Sequence, residues 1–381
     1  MVDLKGQYEK IKDEIDEAVL EVLSSAAFIN GPAVKEFQAD LEKYLDTSHV
    51  IPCANGTDAL QIALMALGLR PGDEVIVPAF TYVATAEVIA LLRLTPVMVD
   101  VDPDTFNTTA EIIERAITPR TRAIVPVHLF GQAADLEPII ELAESRKLSV
   151  IEDNAQAIGA DYTFADGAVK KAGTIGQIGT TSFYPAKNLG CYGDGGAIFT
   201  NDDELAVRMR RIANHGQSKT YYHDLVGVNS RLDSIQAAVL GVKLKYLDEY
   251  AAARNVVARA YDEAFSDLEG RLKTPVRQGN STHVFHQYTV QIEGGGRDEL
   301  KDHLAKEGIP TSVFYPVPLY RQKAFSEYNA PDFSLPVTEK LCRGVISLPI
   351  HTEMDRETID QITGRVKNFF SAADNRRAGV G

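Results

Sequence analysis

Cysteine is scarce in this sequence, with three residues in 381, and that scarcity limits what can hold the fold together. Cys53, Cys191 and Cys342 are odd in number, far apart and without a CxxC pair. Disulfide frameworks and zinc sites use paired or closely spaced cysteines. The sequence therefore favours neither a disulfide framework nor a metal site.

The sequence also lacks long apolar runs, and it has fewer positively than negatively charged residues. No run approaches the roughly 20 apolar residues of a membrane helix, and the start, MVDLKGQYEKIKDEIDEAV, is charged rather than signal-like. With 39 Lys and Arg against 53 Asp and Glu, the net charge is −14 and the pI about 5.1. This balance argues against nucleic acid or an anionic membrane as partner. We predict a cytoplasmic protein in which a local basic site must overcome the overall charge if the substrate is an anion.

A chain of this length, 45% hydrophobic and 24% charged, can build a large core and divide into two domains. We predict a large domain at 1–250 with an N-terminal helical segment, a smaller α+β domain at 251–371, and a flexible tail at 372–381. The sequence contains neither an internal repeat nor a low-complexity linker.

Short β-branched runs alternate with helical stretches, which predicts the α/β class with a mostly parallel sheet. The predicted strands lie at 73–78, 96–101, 122–129, 147–153 and 179–184. Helices are predicted between them at 57–68, 82–93, 108–117 and 134–146. The run 195–202 is expected to form a hairpin strand, and 231–268 long helices.

Two stretches stand out because each lies where a strand ends, and open α/β sheets bind ligands at the carboxyl ends of their strands. Asn55-Gly56-Thr57 opens a helix, so backbone N–H groups, the helix dipole and a hydroxyl converge as they would on a phosphate. Taken alone, a helix-capping turn without a ligand is the more ordinary interpretation. Asp153 ends the run LSVIED and could cap a helix, bind Mg²⁺ or pair with a buried cation.

Lys187 is unusual because it stands among aromatic and small residues in SFYPAKNLG instead of on a charged helix face. An apolar setting lowers the pKa of a lysine, and the free amine is the form that attacks an aldehyde. A lysine of this kind, a strand-end carboxylate and a phosphate-binding helix start are the parts that pyridoxal phosphate requires. Their occurrence in this order predicts a site for pyridoxal 5'-phosphate.

The chain resembles, over nearly its whole length, the DegT/DnrJ/EryC1/StrS family of sugar aminotransferases. The resemblance rests on six motifs in family order: NGTDAL (55–60), PAFTYVATA (78–86), IEDNAQAIGA (151–160), SFYPAKNLG (182–190), GDGGAIFTND (193–202) and GVNSRLDSIQAA (227–238). It implies the aspartate aminotransferase fold, fold type I, and a pyridoxal-phosphate enzyme. The chain is most similar to the branch that aminates UDP-2-acetamido-2-deoxy-3-oxo-glucuronate for surface polysaccharides such as lipopolysaccharide O-antigen.

The resemblance also implies roles for individual residues. Lys187 would form the Schiff base and Asp153 would pair with the pyridinium nitrogen. The residues implied to hold the rest of the cofactor are Gly56, Thr57 and Ser182 at the phosphate, Tyr82 and Gln156 at the ring, and Asn229 reaching the phosphate of a neighbouring subunit. The site would therefore need a homodimer. From the residues alone, Tyr82 would be a core side chain and Asn229 a turn residue.

Arg231 lies, by the same resemblance, beside the substrate, and a guanidinium can clamp a carboxylate in a bidentate fork. A uronic-acid sugar fits this better than a 6-deoxyhexose, although Arg alone at a helix start is more often a structural ion-pair member. Phe314, Tyr315 and Phe28 would face the sugar, and some glucuronate-type relatives place His where Phe314 stands. We expect transfer from an amino acid, L-glutamate, to a keto nucleotide sugar. The alternatives are dTDP-3-oxo- or 4-oxo-6-deoxyhexoses and, more remotely, a regulatory protein on this fold.

Overall fold

The alternation of apolar strands with helices builds a seven-stranded sheet followed by a smaller three-stranded one. The computed structural model describes residues 1–378. In chain order the strands are β1 (His49–Cys53), β2 (Glu74–Pro78), β3 (Thr95–Val99), β4 (Thr121–Ile124), β5 (Ser149–Asp153), β6 (Asp161–Thr163), β7 (Val169–Lys171), β8 (Ile178–Ser182), β9 (Gly196–Thr200), β10 (Gln217–Lys219), β11 (Tyr222–His223), β12 (Leu272–Lys273), β13 (Tyr288–Ile292) and β14 (Val345–Leu348).

The helices cover both faces of the large sheet and one side of the small one. In chain order they are α1 (Leu4–Lys10), α2 (Lys12–Ser25), α3 (Pro32–Leu45), α4 (Gly56–Leu67), α5 (Ala84–Leu91), α6 (Ala110–Glu114), α7 (Leu136–Arg146), α8 (Asp203–Ala213), α9 (Ser234–Leu244), α10 (Leu247–Ala264), α11 (Arg297–Lys306), α12 (Pro336–Gly344) and α13 (Arg356–Ala378). Within the described residues, none of them is long and apolar enough to cross a membrane.

The large sheet has the strand order β1-β9-β8-β5-β4-β2-β3. Its strands run in one direction except β9, which is antiparallel to both neighbours and forms the predicted hairpin strand after β8. The five strands predicted from periodicity are confirmed to within a residue or a few at each end. The sequence analysis missed β1, an edge strand that tolerates Pro52 because one side of an edge strand carries no ladder hydrogen bonds.

Side chains of the central strands alternate between two cores. In β2, Val75 and Val77 pack with α4, α5 and α8, whereas Ile76 packs on the opposite face with α6 and α7. A third apolar cluster joins α3 and α9 to the outer face of β1 and β9. Burial on both faces explains why these strands appear in the sequence as continuous apolar runs.

The C-terminal part forms the smaller α+β unit. Strands β12, β13 and β14 form an antiparallel sheet that packs on α11, α13 and the second half of α10, with Tyr261, Tyr288 and Val366 in its core. The predicted domain border at 250/251 falls inside α10. The predicted tail at 372–381 falls partly on the end of α13, and residues 379–381 lie outside the described residues.

A buried, hydrogen-bonded carboxylate fixes the carboxyl end of β5. Glu152 accepts hydrogen bonds from the N–H groups of Gly173 and Ile175, both at 2.7 Å, and from Gly176. It also contacts Nε2 of His128 at 2.8 Å, while Nδ1 of His128 accepts the N–H of Ala134 at 3.1 Å. Because Nδ1 is the acceptor, Nε2 carries the proton and donates it to Glu152. Both side chains are fully buried.

Replacing Glu152 by alanine should destabilise the protein strongly. The change leaves three backbone N–H groups and the His128 Nε2–H without an acceptor in a dry interior, and each buried donor left unsatisfied costs about 1–3 kcal/mol. Urea unfolding measures the loss. Glu114→Ala is the control, because Glu114 pairs with Arg146 on the surface and an exposed pair contributes about 1 kcal/mol or less. A loss no larger than that of the control would contradict the role of Glu152.

Candidate active site

A cleft of about 980 Å³ opens at the carboxyl ends of β5 and β8 and is closed on one side by residues of the C-terminal part. It brings together most of the residues predicted for the site: Gly56, Thr57, Tyr82, Asp153, Gln156, Ser182, Lys187, Phe314 and Tyr315. These side chains therefore lie together at the strand ends, as the sequence analysis predicted.

The start of α4 is shaped to receive an anion. Asn55 caps the helix through its side chain, which accepts the N–H of Asp58 at 2.8 Å. The N–H groups of Gly56 and Thr57 have no partner within the described part of the chain. A Cβ at Gly56 would lie 2.7 Å from the Cβ of Ser182, so only glycine lets the helix start approach β8 this closely. The two free N–H groups, the dipole of α4 and the hydroxyls of Thr57 and Ser182 thus converge at the start of α4.

Asp153 presents its carboxylate at the end of β5. Its Oδ2 accepts the hydroxyl of Thr85 at 2.7 Å, and its Oδ1 accepts the N–H of Ala155 at 3.1 Å. The residue is 6% exposed and has no ion-pair partner among the described residues. These two hydrogen bonds fix the carboxylate in the cleft and leave lone pairs for a cationic N–H group of a ligand.

Lys187 projects from a tight loop into the same cleft. Its backbone N–H donates to the carbonyl of Tyr184 at 2.8 Å, which shapes the turn that carries the side chain. Burial lowers the pKa of Lys187 to about 8, and the negative charge of Asp153 offsets part of that decrease. A lysine with this pKa holds a much larger share of free, nucleophilic amine near neutral pH than an exposed one.

Gln156 and Tyr315 connect the sheet to the C-terminal part across the cleft. Oε1 of Gln156 accepts the N–H of Phe130 at 2.8 Å, and Nε2 donates to the hydroxyl of Tyr315 at 3.2 Å. The ring of Tyr82 lies 6.5 Å from that of Tyr315 and is 57% exposed, so one aromatic face is open to a planar ligand. Burial raises the pKa of Tyr315, and its hydroxyl stays protonated.

Three predicted residues do not line this cleft within one chain. Phe28 and Arg231 lie near each other on another part of the surface, where the carbonyl of Phe28 accepts the N–H of Ser234. Asn229 is exposed, and the next residue, Ser230, accepts the N–H of Ala54 through its hydroxyl at 3.0 Å. The segment 229–231 therefore passes beside the start of α4 but directs these side chains elsewhere.

The sequence analysis missed side chains that line the cleft or hold its residues in place. Thr85, which holds Asp153, belongs to the quoted stretch PAFTYVATA and was not singled out there. His286 is 8% exposed, its Nδ1 has no partner within the described residues, and it shares the cleft with Gln287 and Lys187. Burial and the positive charges of Lys187 and Arg254 lower the pKa of His286, so the imidazole is neutral. The one indication in the sequence is that His286 stands among other polar residues in HVFHQYT (283–289).

The residues present fit pyridoxal phosphate. The glycine cradle between α4 and Ser182 suits its phosphate, the buried carboxylate of Asp153 suits its protonated ring nitrogen, and the lysine amine suits its aldehyde. The fold and this cleft define a pyridoxal-phosphate enzyme of the aminotransferase type.

Comparison with known proteins gives the family. The model of the DegT/DnrJ/EryC1/StrS aminotransferase family matches residues 9–367. The chain therefore belongs to this aminotransferase family, and the resemblance inferred from the six motifs is confirmed.

The relatives include two enzymes of UDP-sugars. UDP-2-acetamido-2-deoxy-3-oxo-D-glucuronate aminotransferase of Pseudomonas aeruginosa is 47% identical over 96% of this chain and 99% of its own length. UDP-N-acetyl-3-dehydro-alpha-D-glucosamine 3-aminotransferase of Acidithiobacillus ferrooxidans is 43% identical over 95% of each chain. A third relative, the pleiotropic regulatory protein of Geobacillus stearothermophilus, is 45% identical over 97% of this chain and 98% of its own.

Solved structures confirm the predicted fold class. A DegT/DnrJ/EryC1/StrS aminotransferase from Brucella abortus superposes with a TM-score of 0.91 and 44% identity, covering 97% of this chain and 98% of its own. A Bacillus subtilis protein solved with bound cofactor PMP gives a TM-score of 0.87 and 33% identity, covering 94% and 82%. The mostly parallel sheet is thus that of the aspartate aminotransferase fold.

The depressed pKa of Lys187 gives a testable pH dependence. In the cofactor-free protein, labelling of Lys187 by an aldehyde with borohydride should rise with pH and level off above about 8, since the free amine is then the major form. Exposed lysines, with pKa values of about 10.4, should continue to gain reactivity to about pH 10. Peptide mass spectrometry of the labelled protein separates the two groups, and Lys187→Ala identifies the peptide. A Lys187 profile that follows the exposed lysines would show that its amine is solvated.

Proposed function

We propose that this protein transfers an amino group from L-glutamate to the 3-keto group of a UDP-sugar, UDP-2-acetamido-2-deoxy-3-oxo-glucuronate. The observation that carries the proposal is the meeting of Lys187, Asp153 and the start of α4 in one cleft of a sugar-aminotransferase fold. We place the enzyme in the cytoplasm, where it would supply amino sugars for surface polysaccharides such as O-antigen. The similarity to two UDP-sugar aminotransferases supports the 3-keto UDP-sugar.

Pyridoxal 5'-phosphate is the cofactor of this enzyme, as the family membership and the PMP-bound neighbour indicate. Gly56, Thr57 and Ser182 would hold its phosphate, and Asp153 its ring nitrogen, while Tyr82 and Gln156 would lie against the ring. When bound, the cofactor supplies an electron sink conjugated to the substrate amine.

Lys187 is the proton carrier of the reaction. Its amine takes a proton from the α-carbon of glutamate in the first half-reaction and delivers a proton to carbon 3 of the sugar in the second. A pKa of about 8 suits both steps, because the amine and the ammonium are both populated near neutral pH.

The side chains around the lysine prepare this chemistry. Asp153, fixed by Thr85 and the N–H of Ala155, would keep a proton on the ring nitrogen. Gln156 and Tyr315 bridge the cleft and limit the entry of water from the side of the C-terminal part. Neutral His286 adds no positive charge beside Lys187 and so does not oppose its protonation when it accepts a proton.

An anionic sugar needs more positive charge than one chain supplies in the cleft. Among the residues that line the cleft, Lys187 is the one lysine or arginine, whereas Asp58, Asp153 and Asp194 are acidic. We therefore propose a homodimer in which Arg231 and Asn229 of one chain face the cleft of the other, Arg231 at the uronate carboxylate and Asn229 at the cofactor phosphate. Phe28, which lies near Arg231, would take part on the same side.

A regulatory role on this fold is the remote alternative, and the similarity to a protein named as a pleiotropic regulator calls for weighing it. Binding without catalysis would not need a lysine whose amine is desolvated beside a fixed carboxylate. The polar residues of the cleft therefore favour a catalytic role over a regulatory one. Aminotransfer to a dTDP-6-deoxyhexose would use the same core residues and differs in the nucleotide and the sugar.

Asp153→Asn should leave the fold intact and reduce turnover by about 100- to 1,000-fold, because a neutral amide no longer holds a proton on the ring nitrogen and the electron sink fails. Steady-state turnover together with the cofactor absorbance near about 420 nm measures this effect. Asp166→Asn, an exposed aspartate that binds only its own loop, is the control. Turnover equal to that of the control, with a normal cofactor spectrum, would limit the role of Asp153 to holding the turn that follows β5.

A panel of UDP- and dTDP-amino sugars, run in reverse with 2-oxoglutarate, tests the substrate. The parent enzyme should prefer the UDP-3-amino-glucuronate to its uncharged 6-hydroxymethyl counterpart. Arg231→Lys should remove most of this preference, because an ammonium cannot form two parallel hydrogen bonds to a carboxylate; the loss is about 1.5–3 kcal/mol, or about ten- to a hundredfold.

The glutamate half-reaction must be measured separately, because Arg231 could also receive a carboxylate of the donor. Arg146→Lys is the control, since Arg146 pairs with Glu114 on the surface. Equal turnover of the acid and the neutral sugar by the parent would exclude the uronate, and preference for the dTDP-sugars would establish the deoxyhexose alternative.

A further inference from the structure

The loop that carries Lys187 is a closed turn, residues 183–191. Its two ends are joined by the N–H of Cys191, which donates to the carbonyl of Phe183 at 2.8 Å. Inside the turn, a Cβ at Gly190 would lie 2.4 Å from the carbonyl oxygen of Pro185. The loop is therefore folded tightly on itself, and a displacement of Gly190 would be passed to the turn that carries Lys187.

A buried lysine of α9, Lys243, contacts this loop. Lys243 is 1% exposed, and its Nζ donates to the carbonyl of Gly190 at 2.8 Å. The same ammonium lies 4.6 Å from the ring centroid of Tyr192, just past the end of the loop. Burial lowers the pKa of Lys243 to about 8.

Lys243 has no carboxylate partner among the described residues. A buried cation without an ion pair is costly, and an apolar side chain of similar length would fill the same space without that cost. Simple packing therefore does not account for a lysine here. A charge-assisted hydrogen bond and a cation–π contact directed at one loop do account for it.

A second residue of α9 holds the same segment. Gln236 lies seven positions before Lys243, which places both on one face of the helix, two turns apart. Its Oε1 accepts the N–H of Tyr192 at 2.8 Å. The helix thus binds the carbonyl of Gly190 and the N–H of Tyr192 from one rigid surface.

We propose that Lys243 is a positioning residue for the reaction, which holds the loop of residues 183–191 so that Lys187 meets the reacting carbon atoms. This inference rests on the proposed function, in which Lys187 carries the proton. Lys243 is not among the residues that line the cleft, so it should affect turnover through the position of Lys187 and leave substrate affinity unchanged.

Two measurements on Lys243→Met test this role. The amides of residues 184–191 should exchange hydrogen about tenfold faster in the variant, whereas the remaining amides of the large domain keep their rates. The kcat of the holoenzyme should fall by about ten- to a hundredfold with KM unchanged, because a misplacement of about 1 Å costs rates of this order. Lys243→Gln, which keeps an N–H donor but loses the charge, should recover part of both losses.

Lys171→Met is the control, although Lys171 is less buried and pairs with Asp161 at 2.8 Å. Lys171 also lies over a tyrosine ring, 5.1 Å from the centroid of Tyr44, and contacts the carbonyl of Gly159 at 3.4 Å. It does not touch the loop of residues 183–191, so its replacement should leave both kcat and the exchange of 184–191 at the parent values.

The proposal is wrong if Lys243→Met leaves the exchange of 184–191 unchanged, or if its kcat equals that of the parent. If the Met variant does not fold, Lys243→Gln decides by the same two measurements, with a smaller loss of kcat expected and an unchanged kcat overturning the proposal. Failure of the proposed function gives a different result: the parent would turn over no amino sugar, while the exchange comparison would still report whether Lys243 holds the loop.

Discussion

Two neighbouring carboxylates at the end of β5 organise this protein by pointing in opposite directions. Glu152 turns inward, where it collects the N–H groups of the 173–176 segment and the proton of His128. Asp153 turns toward the cleft and is fixed by Thr85 and Ala155. Because side chains alternate along a strand, fixing one of these carboxylates fixes the direction of the other. The carboxylate that faces the cleft is thus placed by one that faces the interior.

The remaining parts of the site are assembled around that strand end by close backbone approaches. Gly56 brings the start of α4 against Ser182, and Gly190 folds the lysine loop onto Pro185. Each approach leaves no room for a Cβ, so the distances between the phosphate cradle, the carboxylate and the amine depend on main-chain contacts. Such contacts are less adaptable than side-chain packing, which suits a site whose reacting groups must be held to a fraction of an ångström.

The sequence alone predicts those features of the site that lie within one short segment. The motifs around Asn55, Asp153 and Lys187 follow strand ends, and the rule for open α/β sheets brings them to one edge. Contacts between distant segments carry no such signal: Thr85 with Asp153, Tyr315 with Gln156 and Lys243 with Gly190 are 68, 159 and 53 residues apart. Strand β1 was missed because Pro52 argues against a central strand and gives no indication of an edge one. Phe28, Asn229 and Arg231 lie outside the cleft, and periodicity cannot indicate which surface residues lie near it.

Two parts of the chain line the cleft. Residues of the large sheet and its helices form the cradle, the carboxylate and the lysine, whereas Phe314, Tyr315 and Val317 come from one short segment of the C-terminal part. In the cleft, these two parts are joined by the hydrogen bond from Gln156 to Tyr315 and by the N–H of Gln287, which donates to the carbonyl of Phe130 at 3.2 Å. Under the function proposed above, exchange of residues 314, 316 and 317 would change the wall of the cleft while Lys187, Asp153 and the start of α4 stay in place, provided that Tyr315 is kept.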